Sequence, residues 1–155
     1  MGPRICRLFR SAKTSQLLQS HNNTPQTSTN LVTDIHQTDV WKKRYSPSGE
    51  FGGDARGLSL AVCADGTNPF SKEKTTYSMC PIVVSLLNLP SHLRRLPGYL
   101  QLVGIIPGKS EPKNTDPYMD VLVDEILQLN GTILFGAFKN ERFSLKANII
   151  LHILD

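Results

Sequence analysis

Two aspartates each end an apolar run, a position from which a carboxylate can be presented to a metal ion. Asp65 closes the apolar run Leu58–Ala64 and is followed by Gly66. Asp155 closes a second run, residues 143–154, in which Leu145, Ala147, Ile149, Leu151 and Ile153 recur at every second position. Strand-end carboxylates are hard oxygen donors, and Mg²⁺ takes such ligands while keeping several waters, so a few from separate elements suffice. Two such ions about 3.5–4 Å apart support cleavage and transfer of a phosphodiester. Without metal, neighbouring aspartates repel and one of them is pushed toward protonation. Gly66 lets the backbone turn away and leaves the site open. On residue types alone, Asp-Gly after a strand is usually a turn, and a terminal Asp is equally unspecific.

The other ionisable residues read as structural. Asp124 and Glu125 fall in the middle of a helical pattern, on its polar side. His152 alternates away from Leu151 and Ile153, and His21, His36 and His92 have no partners at metal-binding spacing. Cys6, Cys63 and Cys80 form no CxxC pair, which supports neither a zinc site nor a disulfide framework. Cys63 and Cys80 read as small apolar residues in strands, and a reducing compartment fits the set.

The elements that must carry the aspartates follow from periodicity. Leu58–Ala64 reads as a buried strand, and a polar connection with the turn signal Asn68-Pro69 follows. The β-branched run 77–89 gives a second strand, antiparallel to the first, and 100–106 a third. Asp116-Pro117 opens a helix with Asp as the cap and Pro at its first position. Met119, Leu122, Val123, Ile126 and Leu129 form its apolar stripe, and Asn130-Gly131 ends it. A short apolar segment, 132–138, precedes the fourth strand, 143–154. Three meandering strands, a crossover helix and a strand beside the first make an α/β arrangement: the opening half of a ribonuclease H-like fold. That core is expected over 51–155. Residues 1–50 are expected as an extended basic and polar arm, with a short amphipathic helix over 4–20, a flexible linker over 21–38, and Trp41 as a packing anchor.

Bulk properties bound the function. The chain has 155 residues, 39% hydrophobic and 19% charged, which suits one globular domain with an arm. A net charge of +4 permits nucleic-acid binding without requiring it. The apolar runs fall well short of the roughly 20 residues of a membrane helix, so no membrane partner is expected. The charged amino terminus carries no secretory signal pattern.

A resemblance narrows this. The runs Ala64-Asp65-Gly66-Thr67-Asn68-Pro69-Phe70, Tyr77-Ser78-Met79-Cys80-Pro81-Ile82 and Leu87-Asn88-Leu89-Pro90 occur in this order. They resemble the transposase of CACTA (En/Spm-like) DNA transposons, in which Asp-Gly-x-Asn-Pro-Phe, Tyr-Ser-x-Trp-Pro and Asn-Leu-Pro motifs follow one another. Leu102-Val103-Gly104-Ile105-Ile106-Pro107-Gly108 and the Asp116-Pro117-Tyr118 helix start extend the similarity, and Cys80 stands where the family usually has Trp. The resemblance implies that Asp65 is the first catalytic aspartate and that Asp155 sits at the position of the second, both as ligands of Mg²⁺. It further implies a third acidic residue far downstream, so the chain is expected to be a fragment of the catalytic domain, inactive alone. DNA is the implied partner, with Arg4, Arg7, Arg10, Lys13, Lys42, Lys43 and Arg44 as candidate contacts. A full-length transposase is a second implied partner, and no small-molecule substrate is expected. A nuclear location follows from the substrate, otherwise a cytoplasmic one. The alternative is a non-catalytic, domesticated DNA-binding or protein-interaction module.

Overall fold

Leu58, Leu60, Val62 and Ala64 alternate onto one buried face of strand β1 (Leu58–Ala64), as a run this apolar requires. In the computed structural model, which describes residues 1–23, 32–70, 78–108 and 114–154, β1 is one of the two inner strands of a mixed sheet. It pairs antiparallel with β2 (Ser78–Leu86), Leu60 opposite Leu86 through Ala64 opposite Ile82. β2 pairs antiparallel with β3 (Gln101–Gly108). The chain then crosses over through helix α4 (Asp116–Leu129), and the last strand, β6 (Ala147–Leu154), returns parallel to β1. The order β3-β2-β1-β6 makes the fold mixed α/β.

Helix α4 buries Met119, Leu122, Ile126 and Leu129 against the sheet. Val123, expected on the same stripe, turns outward and is 41% exposed. Thr115, not Asp116, is the capping residue; Asn114 Oδ1 accepts the Asp116 N–H at 2.9 Å, and Pro117 lies in the first turn. At the other end Asn130 works in two directions. Its Nδ2 donates to the carbonyls of Ile126 and Ala147, and its Oδ1 accepts the Ala147 N–H at 2.8 Å. The side chain thereby ties the end of the helix to the start of β6.

The fourth strand differs from the expected 143–154. Residues 132–138 do not merely connect; they supply β4 (Ile133–Gly136), which folds back on β5 (Glu141–Ser144) through Asn140 at φ 54°. Phe143 therefore joins a separate two-stranded ribbon, where its ring meets Phe9 edge-on at 5.0 Å. Only from Ala147 does the chain enter the main sheet. There the ladder is irregular: Ile149 lies opposite Leu60 but Leu151 opposite Ala61, so Ile150 is an extra residue. Beyond it the faces exchange. Leu151 and Ile153 share the face of Ala61 and Cys63, not that of Ala147 and Ile149.

The amino-terminal residues pack as part of the body over their described portions. The single helix expected over 4–20 is two, α1 (Gly2–Arg10) and α2 (Ala12–Gln19), separated at Ser11, whose side chain accepts the Thr14 N–H. Ile5, Phe9 and Leu18 are fully buried in the same core as β1, β2 and α4. A third helix, α3 (Asp39–Tyr45), lays Trp41 and Tyr45 over Ala61, Leu87 and Phe51 in a second cluster, so Trp41 does anchor this segment. Of the linker expected over 21–38, residues 24–31 lie outside the described residues; His21 and His36 on either side of them are buried.

Gly57 shows how close this packing is. A Cβ there would collide with the Phe51 ring. Gly57→Ala is expected to cost about 1–3 kcal/mol of stability through overpacking, read as a lower Tm without loss of cooperativity.

Candidate functional site

Asp65 lies at the end of β1, at a local break in the ladder. Ala64 faces Ile82, and pairing resumes in the same register where Thr67 bridges Met79. Thr67 N–H donates to the Met79 carbonyl at 2.8 Å and Met79 N–H returns the bond at 2.9 Å. The unchanged register sets Asp65 opposite Pro81, which has no N–H to offer the ladder. Asp65-Gly66 is therefore not the turn that its composition also allowed. The turn comes at Asn68, whose side-chain oxygen accepts the Phe70 N–H at 2.9 Å.

The Asp65 side chain is exposed and has no hydrogen bond or ion pair among the described residues. It continues the face of Ala61 and Cys63, opposite the main core. Along the neighbouring strand, Cys63 pairs with Ile153 and Ala64 with Leu154. These two pairs bring the parallel strands to a common end. Asp155, the next residue after Leu154, lies outside the described residues, as do Tyr77 and the segment 71–77.

The remaining acids are placed elsewhere. Asp124 is exposed on the outer side of α4, and Glu125 is turned to the amino terminus. Partial burial pushes the Glu125 carboxyl up. Hydrogen bonds from the Met1 ammonium and the Gly2 N–H, with the charges of Met1 and Arg4, outweigh this and hold it below the ordinary carboxylate range. Among the described residues no group of three or more His, Cys, Asp or Glu stands close enough to hold a metal. Asp65 is one exposed hard oxygen donor without a protein partner among the described residues, the type of ligand that Mg²⁺ takes.

Of the histidines with no sequence-level pattern, His21 and His36 are buried and structural, and His92 is exposed. His21 Nε2 lies 3.0 Å from the Ala55 carbonyl, and its Nδ1 accepts from the Trp41 indole at 3.3 Å. This pairing fits the neutral ring, and burial lowers its pKa to about 4. His36 Nε2 reaches the Leu87 carbonyl at 2.6 Å, and its pKa is also lowered, chiefly by burial. Arg94 closes the cluster, donating to Asp34 Oδ1 and the Leu89 carbonyl, both at 2.7 Å. Beside them Asn88, fully buried, accepts the Ser59 N–H and donates to Tyr45 Oη and the Gly57 carbonyl, each at 2.8 Å. Burial pushes the Tyr45 hydroxyl up to about 12, so it serves as a neutral hydrogen-bonding group.

The candidate DNA-contacting cations divide between two sides. Those of α1 sit over the main core, with Arg4 donating to the Leu102 carbonyl at 2.7 Å and Arg7 and Arg10 exposed. Lys42, Lys43 and Arg44 are on α3, over the second cluster, where Arg44 pairs with Glu50. Cys80 is buried in the core, where an apolar side chain of its size packs without loss of any candidate ligand. No described helix is long and apolar enough to cross a membrane.

A protein-family model described as transposase family tnp2 matches residues 30–155. No curated protein and no solved structure matches the chain.

Proposed function

Because the chain belongs to the tnp2 transposase family, we propose that it forms part of a metal-dependent site for DNA cleavage and strand transfer, of the CACTA (En/Spm-like) type. Its mixed sheet is read as the opening half of a ribonuclease H-like core. Asp65 and Asp155 are the two carboxylates that this part contributes, and both would hold Mg²⁺.

One observation supports this reading above the others. β1 and β6 run parallel, and Ala64 and Leu154, the residues immediately before the two aspartates, are paired. Asp65 adds an exposed carboxylate with no protein partner among the described residues. Gly66 places no side chain over it. When bound, Mg²⁺ supplies charge neutralisation at a phosphodiester and aligns its oxygens. The chain's own part is to present carboxylate oxygens from a rigid strand end rather than from a loose loop. Action on DNA also implies access to the nucleus.

Metal binding tests the reading directly. Mn²⁺ titrated into the chain and followed by electron paramagnetic resonance should show a site that Asp65→Asn weakens at least tenfold. Asp155→Asn should do the same. Unchanged Mn²⁺ affinity in Asp65→Asn, with the circular dichroism spectrum preserved, would sink the assignment.

A further inference from the structure

The β4–β5 ribbon presents two unlike faces. Leu134 and Phe143 are buried beneath it, and Ala137 N–H donates to the Phe9 carbonyl at 2.9 Å, which docks the ribbon on α1. The outer face carries Ile133 and Phe135, 62% and 43% exposed. Phe135 lies directly across from Arg142, so ring and guanidinium are cross-strand neighbours on that outer face.

Between this face and α1 runs a groove of about 420 Å³, lined by Cys6, Arg10, Thr132, Ile133, Phe135 and Arg142 among others. No lining residue is acidic. Glu141, the nearest acid in sequence, is engaged with Arg56 at 2.8 Å. Among the described residues neither Arg10 nor Arg142 forms an ion pair. These two guanidiniums, one from α1 and one from the ribbon, line the groove together with an exposed aromatic ring. Such a set is matched by a phosphate chain carrying flat, stackable groups.

We propose that this groove binds unpaired nucleotides of a DNA strand, a base stacking on Phe135 while Arg10 and Arg142 hold flanking phosphates. The occupant is single-stranded because a base inside a duplex has both faces covered and cannot reach the ring. The inference rests on the reading that the chain acts on DNA, but not on the metal ligands. Thr132 accepts the Leu145 N–H, and the Lys146 carbonyl accepts the Leu58 N–H, so the groove adjoins the start of β1. Asp65 is at its far end, roughly 20 Å away for a strand of this length.

Fluorescence anisotropy with a labelled 20-nucleotide oligo-dT, at low salt and with EDTA present, tests this without involving the metal site. The full chain should bind the oligonucleotide more tightly than a duplex of equal length. Phe135→Leu, which keeps the apolar bulk, should weaken binding about tenfold, and Phe135→Trp should restore it. Arg10→Gln with Arg142→Gln should weaken binding and flatten its salt dependence. Equal affinity for duplex, wild-type affinity in Phe135→Leu, or equally poor binding by the Trp and Leu variants would each overturn the proposal. A failed Mn²⁺ titration with these results intact would remove the metal assignment alone.

Discussion

Asn88→Ala should cost about 3–4 kcal/mol of folding free energy, because it strips partners from buried backbone groups. The amide of Asn88 is fully buried and serves three groups at once: Ser59 N–H, the Gly57 carbonyl and Tyr45 Oη. Tyr45 also reaches the Gly57 carbonyl, at 2.8 Å, so that oxygen keeps one partner after the substitution. Ser59 N–H keeps none from the side chain, and water is excluded from a site this deep. A buried unsatisfied donor costs about 1–3 kcal/mol, and the small void left by the amide adds to it. A single domain with about 5–15 kcal/mol in hand would lose a large share of its stability. Urea denaturation checks this through a lower midpoint at unchanged m-value. Tyr45→Phe is the calibrating variant and should cost about 1 kcal/mol, since it removes one hydroxyl and keeps the ring. Equal losses for the two substitutions would show that the Tyr45 hydroxyl, not the bonds of the amide to the backbone, carries the junction.

Acid should weaken the fold before its carboxylates begin to protonate. His21 is held neutral by burial, with its pKa lowered from 6.5 to about 4. Between those two values the unfolded chain takes up a proton that the folded chain refuses, so stability falls as pH drops from about 6.5 toward 4. The shift corresponds to a loss of about 3 kcal/mol over that window. His36, lowered chiefly by burial, acts in the same direction. Asp34 and Asp54 are pushed up by burial but held below the ordinary range by Arg94 and Arg56 respectively, so their contributions persist through the window and are lost at more acid pH. Urea midpoints between pH 7.5 and 4.5 should therefore slope downward, and His21→Phe should flatten the slope whatever its effect at neutral pH. A wild-type midpoint constant down to pH 5 would contradict the buried neutral histidine.

How much of this could be read from residue order differs along the chain. β1 was legible as an unbroken apolar run and α4 as a helical stripe with Pro117 and Asn130-Gly131 near its ends, although Val123 leaves the stripe and the cap falls on Thr115. The hairpin was not, since Phe143 continues the alternation of the following strand and nothing local shows that it pairs with Leu134. The amino-terminal segment was the least legible. His21, His36 and Asn88 are polar types that composition assigns to the surface, and their burial is made tolerable only by carbonyls distant in sequence, Ala55 and Leu87 among them. Asp65 was visible as a strand-end carboxylate, whereas its position opposite Pro81 depends on a register that only the folded sheet reveals.

The extra residue at Ile150 changes how this stretch must be counted. Ala147 and Ile153 are six positions apart, an even number, yet their partners Leu58 and Cys63 are five apart and point to opposite sides. Odd and even positions thus exchange meaning at one residue. Any alignment that slides this strand by a single position without moving the bulge assigns core residues to solvent on one side of it and solvent residues to the core on the other.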